Sequence, residues 1–370
     1  MRAYLVRSDA SSVDVGCPMT VTSAPTALPR VDSPPEGGIQ VVGVPMRLAL
    51  VGAGAIADSH LESIRATPGL ELRLVVDRHA KRAEALAARC GAVASTVIGD
   101  VASSEIDAVV ICTSPESHAS LALEAITAGK PVMVEKPVAL DLRSANEILA
   151  AAAKAKVPLL VGQTARFQPA HLELGAALHS GAIGAARIAE ISWYAGHVWP
   201  GGWRAWQLDP ERSGGHLLHN GIHALDLLVW LFDDVPVRVQ ARGMPTWACG
   251  MTTPDTFQII VEFASSALAV VTLSYGLRQR GVMSRRVVVL GEEGSLCVDS
   301  DDEQTVMGRR GVVLAGVEDA MNNQYEHWRN VLVGTEKPRT SPEQIRSALA
   351  AALASQLSAD TGRVCEVEAS

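Results

Sequence analysis

Between Met46 and Val161 short apolar runs alternate with amphipathic stretches, and this alternation restricts the fold more than any other feature of the chain. Met46–Val51 (MRLALV), Leu72–Val76 (LRLVV), Ile106–Cys112 (IDAVVIC), Pro131–Glu135 (PVMVE) and Val157–Val161 (VPLLV) have the length and content of buried strands. Helical spacing fills the intervals at Ile56–Ala66, His79–Cys90, Ser117–Ala128 and Leu142–Ala155. A strand covered on both faces reads as a continuous apolar run, because helices pack on both sides of a parallel sheet. The pattern predicts βαβ units around one parallel sheet.

The turn after the first strand reads Gly52-Ala53-Gly54-Ala55-Ile56-Ala57. Gly52 permits a tight turn, and Gly54, lacking Cβ, lets a pyrophosphate approach the backbone. Small Ala57 allows close helix–strand packing. The helix start then offers free N–H groups and a positive dipole end to phosphates. Asp77 closes the second strand, where an acid can accept hydrogen bonds from ribose hydroxyls. Its charge favours NAD; the adjacent Arg78 keeps NADP as the second option. A bare helix-packing turn is the competing reading, and the strand, turn, helix and acid together weigh against it.

Other candidates follow from the strand ends. Ligands bind open α/β sheets at the carboxyl edge. Thr113, Ser114, Pro115 and His118 follow one strand there, and Glu135 and Lys136 end another; all are expected to border the cofactor. Lys136 is also expected to assist proton loss from a substrate hydroxyl, though most lysines are simply solvated.

After about residue 165 the rhythm changes. Strand-like segments at Ala186–Tyr194, Pro236–Arg242, Thr256–Phe263, Ala267–Tyr275, Arg285–Leu290 and Ser295–Val298 are interrupted by one strong helix, Gly215–Leu231. Two helices close the chain, near Glu318–Val333 and Ser341–Leu357. The fold class is therefore α/β: a Rossmann domain at 46–165, then an α+β domain at 166–370 with a large, open, mostly antiparallel sheet. Residues 1–45, rich in Pro, Ser, Thr and Gly, are expected to be a weakly ordered leader; an ordered arm is the alternative.

Helical spacing puts His216, His219 and His223 on one face. Neutral imidazole accepts a hydroxyl proton near neutral pH. Three histidines also suit zinc, but no HExxH-type signature accompanies them, and no metal is expected. Asn220 is a further substrate-binding candidate. Seven of fifteen aromatic residues are Trp. Trp199, Trp203 and Arg204, in a loop with Pro200, Gly201 and Gly202, are candidates for stacking on and bonding a sugar, against the alternative of packing. Arg166 could reach the same cleft or be structural.

These residues together resemble the Gfo/Idh/MocA oxidoreductases (glucose–fructose oxidoreductase, inositol dehydrogenase, rhizopine catabolism). The landmarks are VGAGAIADSH (51–60), VVD (75–77), DAVVICTSPESHASLALEAITAGKPVMVEKPVAL (107–140), ARFQPAH (165–171), SGGHLLHNGIHALDLLVWL (213–231) and TGR (361–363). The resemblance implies hydride transfer between nicotinamide and a carbinol carbon of a sugar, inositol or related substrate. Lys136 then corresponds to the EKP lysine and His223 to the acid/base histidine. Many members carry Asp four residues before that histidine; here the position is His219, which supplies no fixed negative charge. The resemblance also implies a homodimer or homotetramer formed through the C-terminal sheet. Two rivals stand beside this reading: a redox-neutral, NAD-dependent glycoside-cleaving enzyme, and a non-catalytic NAD(P)-binding sensor.

Composition narrows the partners. The net charge is −8 and no Lys/Arg run occurs, so nucleic acid is not expected. No apolar run approaches the roughly 20 residues of a membrane span. Six scattered cysteines, without paired spacing or a signal-like amino terminus, point to the cytoplasm.

Overall fold

The computed structural model describes residues 44–196, 206–244, 251, 253–277, 283–300, 304–308, 311–314 and 320–368. The first sheet is built by β1 (Met46–Val51), β2 (Leu70–Val76), β3 (Val93–Ser95), β4 (Ala108–Ile111), β5 (Val132–Glu135) and β6 (Leu159–Gly162). They pair in parallel in the order β3-β2-β1-β4-β5-β6. The order reverses between β1 and β4, which opens a crevice at their carboxyl ends. Helices α1 (Ala57–Ala66), α2 (Ala80–Ala88), α3 (His118–Thr127) and α4 (Leu142–Ala155) make the crossovers. β4 is buried throughout because helices cover both its faces, as its apolar run requires. Asp141 caps α4 by accepting from the Ser144 N–H at 2.8 Å, a contact worth about 1 kcal/mol.

The second sheet contains β7 (Ala186–Ala195), β8 (Pro236–Met244), β9 (Thr256–Phe263), β10 (Leu268–Ser274), β11 (Met283–Gly291), β12 (Ser295–Ser300), β13 (Gln304–Gly308), β14 (Gly311–Leu314) and β15 (Cys365–Glu366). Its order is β14-β13-β12-β11-β7-β10-β9-β8-β15, antiparallel except for β7 with β10. Helices α5 (Pro169–His179), α6 (Pro210–Ser213), α7 (Ile222–Phe232), α8 (Ala320–Leu332) and α9 (Pro342–Thr361) accompany it. Side chains alternate along β7: Ala189, Ile191, Trp193 and Ala195 are buried against the helices. α8 returns to the first sheet, where Tyr325, Trp328 and Val331 share a core with Leu48, Leu50, Leu61 and Ile64.

Three expectations change. The edge strand β3 joins the parallel sheet, and α5 is a second well-formed helix ahead of the expected one. The segment expected as one helix over Gly215–Leu231 is a π-helical turn, Leu217–Gly221, leading into α7. The leader of residues 1–45 lies outside the described residues apart from its last two positions.

Candidate active site

The glycine turn follows from β1 and its neighbour. Gly52 has φ +105°, and a Cβ there would lie 3.0 Å from the Cys112 carbonyl carbon at the end of β4. Only glycine suits both demands. Gly54 faces open space, so backbone is accessible at that point. Gly54, Ala55 and Ile56 are exposed between buried Gly52 and Ala57. α1 starts without a side-chain cap; the Ala57 N–H donates to the Gly54 carbonyl at 3.1 Å, and no side chain competes with an anion for the N–H groups that follow. Asp77 is fixed beside the turn: its carboxylate accepts from the backbone N–H of Ala53 and of His79, both at 2.8 Å. Arg78 is exposed. A bare turn, a dipole end and an oriented acid fit a dinucleotide.

At the ends of β4 and β5 the chain makes the floor of the crevice. Thr113 and Ser114 are half-buried and Pro115 is buried. His118 does not face the cofactor side as expected. Its ring is fully buried, with Nδ1 2.8 Å from the Pro137 carbonyl and Nε2 3.1 Å from the Thr113 carbonyl. Burial pushes its pKa down despite both carbonyls, and a neutral ring donates to only one of them, so it ties α3 to that one loop. Glu135 lies on another buried chain: its carboxylate is 3.3 Å from His60 Nε2, and His60 Nδ1 is 2.7 Å from the Tyr325 hydroxyl. Burial alone would push the Glu135 carboxyl up, but His60 and the Lys136 charge outweigh it and hold the carboxyl below its usual value.

Lys136, His219, Asn220 and His223 line one cleft of about 360 Å³, together with Ile56 from the glycine turn and Trp193, Tyr275 and Arg285 from the second sheet. Lys136 Nζ donates to the His219 carbonyl at 3.0 Å, so the β5 end and the π-helical turn touch directly. Burial lowers the Lys136 pKa, opposed by Glu135. The His223 ring stacks on Trp193, centroids 5.8 Å apart and planes 16° apart. Its Nδ1 is sealed from solvent and has no hydrogen-bond partner among the described residues. Burial, then the charges of Lys136 and Arg285, push its pKa well below the ordinary histidine value. His219 is pushed the same way by burial, Lys136 and His216. Both rings are therefore neutral at pH 7.

Packing decides two expectations. His216 leaves the face it was expected to share: its ring lies 4.1 Å from Tyr275 and 5.5 Å from Phe257, and it does not line the cleft. The wide π turn breaks the 3.6-residue spacing on which that face depended; such turns recur at functional sites. Of the two roles open to Arg166, the packing supports the structural one. Arg166 is fully buried and grips Asp226 through Nε and Nη2, both at 2.7 Å. A buried guanidinium needs such a partner, and Asp226 on α7 supplies it. Trp199, Trp203 and Arg204 lie outside the described residues.

The sequence reading missed Arg285 and Tyr275 and passed over Trp193. The signal for Arg285 was its phase. It alternates with buried Val287 and Val289 on β11, so it is a charge pointing inward on a strand. It sits directly across the ladder from Trp193, with its guanidinium 4.0 Å from the indole centroid.

Comparison with known proteins bears on the same residues. Residues 46–163 match the model of the Gfo/Idh/MocA oxidoreductase family, NAD-binding Rossmann fold, and residues 171–297 match that family's C-terminal domain. The chain belongs to the Gfo/Idh/MocA oxidoreductases. A D-apiose dehydrogenase from Paraburkholderia graminis is 29% identical over 341 residues, 86% of this chain and 89% of its own. A 1,5-anhydro-D-fructose reductase from Ensifer adhaerens is 30% identical over 342 residues, 87% of this chain and 98% of its own. A solved NAD binding oxidoreductase from Klebsiella pneumoniae has the same fold, with a TM-score of 0.78 at 20% identity over 89% of this chain and 100% of its own. As a Gfo/Idh/MocA oxidoreductase this chain is NAD-binding, and its glycine turn and Asp77 are the parts that suit the nucleotide.

Proposed function

We propose that this Gfo/Idh/MocA oxidoreductase oxidises or reduces one carbinol carbon of a small polyhydroxylated substrate, a sugar or inositol in class. The observation that carries this is the meeting of Lys136, His219 and His223 in one cleft beside the glycine turn. Bound nicotinamide supplies the hydride acceptor or donor. His223 Nε2 takes the hydroxyl proton in oxidation and returns it in reduction. Lys136, held by the His219 carbonyl, turns its remaining N–H bonds toward the oxygen on which charge changes. Neutral His219 hydrogen-bonds a substrate hydroxyl where an Asp would carry charge. Asn220 offers a buried, unpartnered Nδ2 to the same molecule. Gly52 to Ile56, Asp77 and the Thr113–Pro115 loop hold the dinucleotide, and Asp77 favours NAD over NADP by repelling a 2′-phosphate.

The test is a panel of sugars, inositols and amino sugars with NAD and with NADP, read by the near-ultraviolet absorbance of reduced nicotinamide. Net NADH formation with at least one member, faster with NAD than NADP, is expected. Substrate cleavage without net NADH would replace this reading with the redox-neutral one. Cofactor binding without turnover of any member would favour a sensor.

The domain division near residue 165 and a cytoplasmic location belong to the same proposal; among the described residues no helix is long and apolar enough to cross a membrane. So does assembly. The outer face of the second sheet exposes Ile188, Met244, Ile260, Leu268, Val270 and Leu290 on five neighbouring strands. Contiguous exposed apolar side chains mark a contact surface, and a self-complementary sheet face closes a twofold pair. Ile260→Glu with Val270→Glu is expected to convert a dimer or tetramer to smaller species in light scattering. An unchanged mass would place the contact elsewhere.

A further inference from the structure

Behind Lys136 lies a buried polar chain that the proton transfer does not use. Three elements meet in it. His60 from α1 is 1% exposed, Tyr325 from α8 is fully enclosed, and Glu135 ends β5. His60 Nδ1 lies 2.7 Å from the Tyr325 hydroxyl, and Nε2 lies 3.3 Å from Glu135 Oε1. Charge selects the tautomer. A bare ring nitrogen facing a carboxylate at that distance is repelled, so the ring proton sits on Nε2 and the Tyr325 O–H donates to Nδ1. Burial pushes the Tyr325 pKa well up, which keeps its hydroxyl a donor.

The neighbouring strand makes room for the same carboxylate. Gly162 on β6 stands directly across the ladder from Glu135, and a Cβ there would lie 3.1 Å from Glu135 Oε1. Glu135 Oε2 accepts from the Lys136 backbone N–H at 3.2 Å. The space over Gly162, the ring N–H and the backbone N–H together fix where this charge sits. Its place matters for Lys136. Among the described residues lining the cleft, Glu135 is the one carboxylate, and Lys136 and Arg285 are the cations. His219, His223 and Tyr275 are uncharged, and so are Cys112 on β4 and His118 on α3 near Glu135. A buried ammonium without an anion nearby gives up its proton easily. An amine stabilises a developing alkoxide far less than an ammonium does.

We propose that His60 and Tyr325 are positioning residues that hold Glu135 as a fixed carboxylate beside Lys136, and that this carboxylate keeps Lys136 an ammonium, the form that donates to the reacting oxygen. No bond is made or broken in the chain: the substrate proton goes to His223, and Lys136 keeps its own. Through Tyr325 a helix near the end of the chain thus acts on the site. This rests on the hydride-transfer reading above, in which Lys136 faces that oxygen.

The experiment reads Lys136 without any substrate. Trace labelling of the full chain with acetic anhydride between about pH 7 and 11, followed by mass spectrometry, gives the midpoint at which each lysine becomes reactive. Exposed Lys81, Lys154 and Lys156 are the internal standards. Glu135→Gln is expected to move the Lys136 midpoint to lower pH and to raise its labelling at pH 8 by about five-fold or more, with the standards unmoved. His60→Leu is expected to move it the same way, because an unpinned carboxylate no longer keeps its charge at that place, and Tyr325→Phe by less. His60→Gln, which keeps a donor, should recover part of the change. A merely loosened cleft would raise the labelling plateau at high pH and leave the midpoint where it is. An unmoved midpoint in Glu135→Gln overturns the proposal and leaves hydride transfer standing. A midpoint that moves in Glu135→Gln but in none of the His60 and Tyr325 variants removes those two residues from it. Absence of turnover across the sugar panel counts against the redox reading, while the midpoints still decide this one. NADH titration by tryptophan fluorescence checks the fold of each variant. If His60→Leu fails to fold, Glu135→Gln and Tyr325→Phe, close in shape to the parent, carry the test.

Discussion

His223→Asn lowers kcat by about 10²–10⁴-fold while the protein still binds NAD, as expected when a positioned acid/base is removed. Asparagine fits the pocket and hydrogen-bonds, but it cannot carry a proton from the substrate hydroxyl. Fluorescence titration with NADH separates the two effects. His223 has no polar support at Nδ1 and stacks on Trp193, so packing rather than a hydrogen bond fixes its ring. Lys136→Ala is expected to fall in the same range, because in the proposed mechanism the ammonium faces the reacting oxygen, and it holds the π-helical turn through the His219 carbonyl. The pH profile gives an independent reading. Burial and the positive neighbours push His223 well below the ordinary histidine value. Protonation, which disables the base, then comes only at lower pH. Oxidation measured as kcat/KM should hold steady from pH 8 down through pH 6.5 and fall only beyond the ordinary histidine range. A His223→Asn enzyme turning over within a few-fold of the parent would remove the residue from the mechanism.

The parallel sheet was legible because its central strands are covered on both faces and so read as unbroken apolar runs; β4 and the helix α4 appear within one or two residues of where the pattern places them. β3 was not, since three residues at a sheet edge carry no period. α5 escaped because it buries Ala170, Leu174 and Leu178 on one side and also sets Gly175 against Trp230, so its apolar pattern is blurred. In the site, Lys136 and His223 could be found from strand ends and helix spacing. His216 was misplaced because spacing arguments assume an α-helix, and the π turn at Leu217–Gly221 shifts the phase just where the residues matter. Arg166 stayed open between the cleft and a structural role for a different reason. Its partner lies 60 residues onward, and nothing local to the sequence around it announces a counter-ion.

Arg166→Met destabilises the protein by about 3–5 kcal/mol, the cost of leaving a buried carboxylate without its partner. The guanidinium is fully enclosed and spends its donors on Asp226, on the Arg339 carbonyl at 3.0 Å and on Gln344 Oε1 at 2.6 Å. It thereby joins the turn after β6, the helix α7 and the start of α9 at one point. Burial pushes the Asp226 carboxyl up, and Arg166 is what opposes that shift. With methionine in its place, folding must either bury a charge or protonate the acid. Chemical denaturation near neutral pH reads the loss directly. Since the orphaned acid is relieved by protonation, the deficit of the single variant should shrink as pH falls. Arg166→Met combined with Asp226→Leu should recover most of the stability, because the charge is removed with its partner and the space stays filled. His223 stands one turn before Asp226 on α7, so a looser α7 also misplaces the base and lowers kcat. A substrate contact would behave in the opposite way, keeping stability and raising KM. An Arg166→Met protein with parental stability and a raised KM would return that residue to the cleft.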